Sequence, residues 1–376
     1  MRILFVLGAR SEWGYIKPII DLAEAEGHIC QIWACNMSVL GRFGSLVDEI
    51  TSEGYEIIGK FNTSVDGDNR VSMAKSLGLA ILSASDWLAN NDPDWIVVAG
   101  DRMEQLAVTL SAAILYKPIA HIQAGERSGN IDGVTRHAIA RFAHIHFAAN
   151  EDARDRLLKS GEQQERIFLT GAPQLDEISL TRIPTKEELF ERGIISQDDF
   201  ILGVLHGTTE EDGQFLGNVS NLVEALSEVD TGVVWIASNN DSDKQTIERI
   251  IKDSLRANDK FFTNLNRVDY LGLLKNCKFI IGNSSSGILE APSFKTPAIN
   301  LGRRQDLRYR AQNVIDASFS KDEIQQSIKK ALSPSFLHQL EDTLNPYGDG
   351  QSSQRILDVL KRTKVNPEFL IKQITY

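Results

Sequence analysis

The sequence predicts an α/β protein of two parallel-sheet domains with a cleft between them, and three observations carry that expectation. Short apolar runs alternate with longer amphipathic stretches, the alternation breaks once and restarts, and 376 residues at 42% hydrophobic content are long for a single core.

The first set of runs is ILFVL (3–7), HICQIWA (28–34), WIVVAG (95–100), PIAHI (118–122), HIHFAA (144–149) and RIFLTG (166–171). Helix-like segments such as SMAKSLGLAILSASDWLAN lie between them, so each strand is followed by a crossover, as parallel sheets require. This predicts a first domain over residues 1–172. Gly171, Pro173 and Pro184 then interrupt the pattern, and the stretch from Thr170 to Pro184 reads as a hinge about which the domains close. FILGVLH, GVVWIAS, KFFTN, KFIIGN and TPAINLG restart it and predict a second domain over 185–352. A helix over about 353–376, opened by SSQRILDVLKRTKV, is expected to pack back on the first domain.

Composition excludes several classes. A net charge of −11, from 40 basic and 51 acidic residues, argues against a nucleic-acid surface. No apolar run approaches the ~18 residues of a membrane span, and the start is too short in apolar residues for a secretion signal, so a soluble cytoplasmic protein is expected. Cys30, Cys35 and Cys277 lack paired spacing and read as small buried side chains rather than disulfides or zinc ligands. His144 and His146 alternate along one strand and read as core or edge residues, not a metal site.

In open parallel sheets the ligand meets the carboxyl ends of the strands, so the residues that follow each run are the candidates. They are GARSEWGYIKP, GDRMEQ, QAGERSGNID, HGTTEE and GNSSSG. In GNSSSGILEAP, Ser284, Ser285, Ser286 and Gly287 offer hydroxyls and amides at what reads as a helix N-terminus, a place suited to phosphate; a simple Ser N-cap is the alternative. No GKS or GKT follows, so this is not a Walker loop, and GARSEWG is not GxGxxG. Glu290, four residues past Ser286, is placed to accept a ribose, and Arg10 to give a planar fork to phosphate oxygens. Asp101, Glu126 and Asp132 each follow a strand of the first domain, where carboxylates can act as general acid and base, although Asp132 is also placed as an N-cap. His206 closes FILGVL and is placed to neutralise a leaving phosphate or move a proton; a structural His is the alternative.

Together these segments, with DGVTRHAI, ASNNDSD and GNSSSGILEAPSFKTPAINLGRRQ, resemble the sugar-nucleotide 2-epimerase family over nearly the whole chain, and more closely its hydrolysing branch, the UDP-N-acetylglucosamine 2-epimerases that release N-acetylmannosamine. The resemblance implies a GT-B-like pair of Rossmann-type domains, a UDP-sugar substrate, no metal or redox cofactor, and a homo-oligomer, dimer or tetramer. It implies that Arg10, Arg136, His206 and Ser284 to Gly287 hold the diphosphate, that Glu290 holds the ribose, and that the acid chemistry falls on Asp101, Glu126 and Asp132. One departure matters: where the non-hydrolysing branch has the Glu of HVEAG, this chain has Gln123, which is no base, while Glu126 matches the Glu that hydrolysing members carry in HIxGGE; Ala124 stands for that motif's first Gly. Related hydrolysing enzymes act on UDP- or GDP-linked N,N'-diacetylbacillosamine, which stays open as an alternative substrate. A glycosyltransferase on the same fold, and a non-catalytic nucleotide-sugar sensor, are the rivals from other classes.

Overall fold

The structure, a computed structural model, describes residues 1–39, 46–65, 70–127, 131–207, 215–237, 244–263 and 265–375. The chain divides into two compact units, Met1–Ser179 with Tyr347–Tyr376, and Leu180–Pro346.

In the first unit, strands β1 (Arg2–Leu7), β2 (Ile29–Cys35), β3 (Ile57–Phe61), β4 (Trp95–Ala99), β5 (Ile119–Ile122), β6 (Ile145–Ala148) and β7 (Ile167–Leu169) form one sheet in the order β3-β2-β1-β4-β5-β6-β7. All its pairings are parallel. The order reverses between β1 and β4, so the loops after these two strands splay apart and leave room for a ligand. Along β1 the side chains alternate between the two faces: Ile3, Phe5 and Leu7 join one core cluster, and Leu4 and Val6 the other.

The second unit repeats the plan with β8 (Phe200–Val204), β9 (Gly232–Ile236), β10 (Lys260–Phe262), β11 (Ile280–Gly282), β12 (Ala298–Leu301) and β13 (Val314–Ala317), in the order β10-β9-β8-β11-β12-β13. Here the reversal falls between β8 and β11. These are two Rossmann-type domains, each with its own core. The apolar runs of the sequence are the central strands together with the edge strands β7 and β10. β3 and β13 have no such run: β3 carries no fully buried residue and β13 exposes Asp316.

The terminal segment forms two helices, Ser352–Arg362 and Pro367–Leu370, in place of one over 353–376. Ile356, Leu357, Val359 and Leu360 complete the first unit's core cluster. The first helix is not capped by its own serines: the buried carboxylate of Asp176 accepts the amides of Ser352 at 2.9 Å and Ser353 at 2.6 Å. A carboxylate at two orphan helix amides favours both the hydrogen bonds and the dipole. Asp176→Ala should therefore lower stability by about 3 kcal/mol, roughly 1.5 for each amide bonded to a charged acceptor. Urea unfolding at neutral pH checks this; a change below about 1 kcal/mol would show that water replaces the carboxylate.

All three cysteines are buried and free. Among the described residues, no helix is long and apolar enough to cross a membrane.

Candidate functional site

In the first unit the β1 turn delivers Arg10 as the first residue of the helix Arg10–Ala25. Its guanidinium is half exposed and pairs with Glu49 at 2.8 Å. Asp101 and Glu126 lie around Arg136 instead.

Arg136 lies in the helix Ile131–Phe142 and is 3% exposed. It donates to a carboxylate oxygen of Asp101, just after β4, and to the carbonyl of Gln123 at 3.0 Å; Glu126 Oε2 is 3.8 Å from the same guanidinium. Burial works against its charge, but Asp101 and Glu126 more than offset that and raise its pKa. These partners fix Arg136 as the hub of the acids, which the reading of it as a phosphate ligand did not foresee.

Glu126 reaches this place through a tight turn after β5. Gln123 and Gly125 both take positive φ, 55° and 80°, and a Cβ on Gly125 would lie 2.4 Å from the carbonyl of Ala153, so glycine is required there. Glu126 is then 5% exposed. The Gln123 side chain turns away, to Gln174 Oε1 at 3.3 Å. His121 Nε2 donates to the carbonyl of Gly100 at 2.7 Å and so ties the end of β5 to the loop that carries Asp101. Burial lowers its pKa to about 3, which keeps it a neutral strut. Asp132 is in the first turn of the helix that bears Arg136, and its side chain is outside the described residues.

In the second unit His206 follows β8 and meets the phosphate-loop candidate after β11. Asn283 clamps the two strand ends: its Oδ1 accepts the His206 amide at 2.7 Å and its Nδ2 donates to the His206 carbonyl at 2.8 Å. The close approach depends on Gly282, whose φ of 137° leaves a hypothetical Cβ 1.9 Å from the carbonyl of Val204.

Ser284 to Gly287 form a turn rather than the start of a long helix. The α-helical part is Ser286–Leu289, one turn, followed by the 3-10 segment Ala291–Phe294, so little macrodipole stands behind it. What remains for an anion is local, amides and hydroxyls. Ser284 and Ser286 hydroxyls are 2.9 Å apart, Tyr270 hydrogen-bonds Ser286, and burial raises the Tyr270 phenol so that it stays protonated. Glu290 is buried and paired with Arg267, not a solvated surface acid. Arg304 and Gln305 both donate to the Asn283 carbonyl at 3.0 Å, bringing a further guanidinium to the loop. The parts of HGTTEE and ASNNDSD at 208–211 and 238–243 are outside the described residues.

Sequence reasoning missed Asn283, Arg267, Tyr270, Arg304 and the strut His121. A local signal existed for one pair: Arg267 and Tyr270 are three apart at a helix start and share a face.

Known proteins resemble this chain over nearly its whole length. A family model described as UDP-N-acetylglucosamine 2-epimerase matches residues 23–361. The chain is 31% identical to a UDP-N,N'-diacetylbacillosamine 2-epimerase (hydrolyzing) of Legionella pneumophila, covering 100% of this chain and 99% of that protein. It is 30% identical to a UDP-N-acetylglucosamine 2-epimerase of Neisseria meningitidis, over 98% and 96% of the two chains. Among solved structures, that of UDP-GlcNAc 2-epimerase from Neisseria meningitidis bound to UDP-GlcNAc superimposes with a TM-score of 0.82 at 20% identity, over 96% of this chain and 100% of the other, and establishes the GT-B-like fold. By its sequence over nearly its full length, the chain belongs to the UDP-N-acetylglucosamine 2-epimerase family.

Proposed function

We propose that the protein is a hydrolysing 2-epimerase that converts UDP-N-acetylglucosamine and water to N-acetylmannosamine and UDP. The observation that carries this reading is Glu126, buried beside Arg136 with Asp101, at the strand end where Gln123 supplies no base.

The C2 hydrogen of the sugar is not next to a carbonyl, so a carboxylate cannot remove it unaided. If the bond from C1 to the diphosphate oxygen breaks, with its electron pair leaving on UDP, positive charge at C1 acidifies C2. Glu126 then takes the C2 proton and a glycal remains. Water adds its hydroxyl to C1, and a proton returns to C2 from the opposite face. Asp101 and Asp132 serve as the acid and base of this second half, with Arg136 holding Asp101 and Glu126 in register. Arg10, His206 and the Ser284–Gly287 turn receive the diphosphate, and Glu290 the ribose. No step requires a metal or redox group.

Glu290 gives the binding half its own test. Arg267 fixes one carboxylate oxygen, which favours Glu290 as a pre-oriented acceptor. Glu290→Gln should raise KM by about tenfold or more with kcat nearly unchanged, as loss of uniform binding requires. Steady-state kinetics decide it; a fall in kcat at constant KM would move Glu290 out of the ribose site.

Proton NMR of the protein with UDP-N-acetylglucosamine in deuterated water tests the reaction itself. Free N-acetylmannosamine deuterated at C2, with UDP, is the expected result; UDP-N-acetylmannosamine as the product would make the enzyme non-hydrolysing, and no turnover would overturn this substrate. The similarity to the Legionella pneumophila protein favours UDP-N,N'-diacetylbacillosamine as the second substrate to try. We place the product in sialic-acid-type sugar synthesis in the cytoplasm and the enzyme in a dimer or tetramer, which light scattering checks.

A further inference from the structure

Glu12 is an acid that the reaction above does not use. It is in the first turn of the helix Arg10–Ala25 and only 2% exposed. Its Oε2 accepts the amide of Gly8 at 2.5 Å and that of Ala9 at 3.0 Å, while its Oε1 is buried and the Gln105 side chain also bears on the carboxyl. These amides stand at the β1/β4 reversal, where a parallel α/β sheet ordinarily offers its amides to a ligand's phosphate. Here the place is taken by a carboxylate of the chain itself.

The surroundings make that occupancy costly. Glu104 packs on the same turn, close enough that a Cβ on Gly8 would lie 3.2 Å from its side chain; Arg102 Nε is 3.4 Å from Glu104 Oε2, and the Cys35 thiol of β2 is also in this group. Burial, reinforced by Glu104 and opposed by Arg102, pushes the Glu12 carboxyl up from 4.5 to about 7. The folded state therefore holds this proton more tightly than the unfolded chain does. Stability from Glu12 is present below pH 4.5, falls as the pH climbs to about 7, and stays low above it.

We propose that Glu12 is a positioning residue for Arg10: its carboxylate fills the amide cradle of the β1 turn, closing that cradle to phosphate and setting the backbone from which Arg10 reaches the substrate's diphosphate. This rests on the role given to Arg10 above.

Glu12→Gln and Glu12→Ala at pH 8 test it. Glu12→Gln should melt at or above the parent temperature yet lose about tenfold in kcat/KM, chiefly through KM, with a similar loss of UDP affinity by calorimetry. Glu12→Ala should regain both on addition of formate, a small carboxylate that fits the vacated cradle, whereas Arg10→Met should not. Unchanged kcat/KM and UDP affinity in both Glu12 variants would overturn the proposal, as would parallel loss of melting temperature and activity that formate fails to repair. Formate binding is also read from the Gly8 and Ala9 amide resonances of Glu12→Ala, which need no turnover. A parent protein inert on every UDP-sugar would sink the proposed reaction, and the cradle would then be decided by those resonances: shifts with formate support it, and none overturns it.

Discussion

Replacing Glu126 by Gln should cut turnover of the UDP-sugar by about 10³-fold, with the fold and UDP affinity retained. The side chains are nearly isosteric, so the packing of a residue that is 5% exposed survives, and Arg136 keeps Asp101 and the Gln123 carbonyl as partners. Only the capacity to take the C2 proton is lost. Deuterium incorporation at C2, followed by NMR with excess enzyme, isolates that step from product release. Retained exchange would take the base away from Glu126 and give it to Asp101 or Asp132.

Arg136→Met should have the largest effect on stability, about 3–5 kcal/mol, because two carboxylates then stand close together, largely out of water, with no counter-charge between them. The methionine fills much of the volume, so the loss reports charge rather than a cavity. Arg136→Lys should recover part of the stability but little activity, since an ammonium cannot span Asp101, the Gln123 carbonyl and Glu126 as a planar fork does. Thermal unfolding and kcat measured on the same samples distinguish the two variants. If Arg136→Lys is fully active, the fork geometry is not what the reaction needs.

How far the sequence led differs between fold and site for physical reasons. Central strands such as β4, all five residues buried, write themselves as unbroken apolar runs, and the β-α alternation gave both sheets. Of the four edge strands, β7 and β10 still show as short apolar runs, whereas β3 and β13, half in water, leave no such trace. In the site, acids and arginines at strand ends were legible because that edge is where polar residues are otherwise unexpected. Their partners were not. Asn283 acts on His206 across 77 positions, and His121 on Gly100 across 21, through sheet order that no local pattern contains. GNSSSG signalled a helix start, but Ala291–Phe294 winds on as 3-10 and leaves a single α-turn.

The division of the chain has a consequence for how the molecule is made. Residues 347–376 belong to the first unit, although the whole of the second, Leu180–Pro346, is synthesised before them. The contiguous unit can therefore condense while the other still lacks Ile356, Leu357 and Leu360 from its core and the two amides that satisfy Asp176. At about 5–20 residues per second, the 167 residues between the two parts of the first unit take roughly 8–33 s to emerge. During that interval the nascent N-terminal sheet leaves part of its apolar core uncovered and the Asp176 carboxylate without its two amides, so this half stays open to misassembly until the last segment docks.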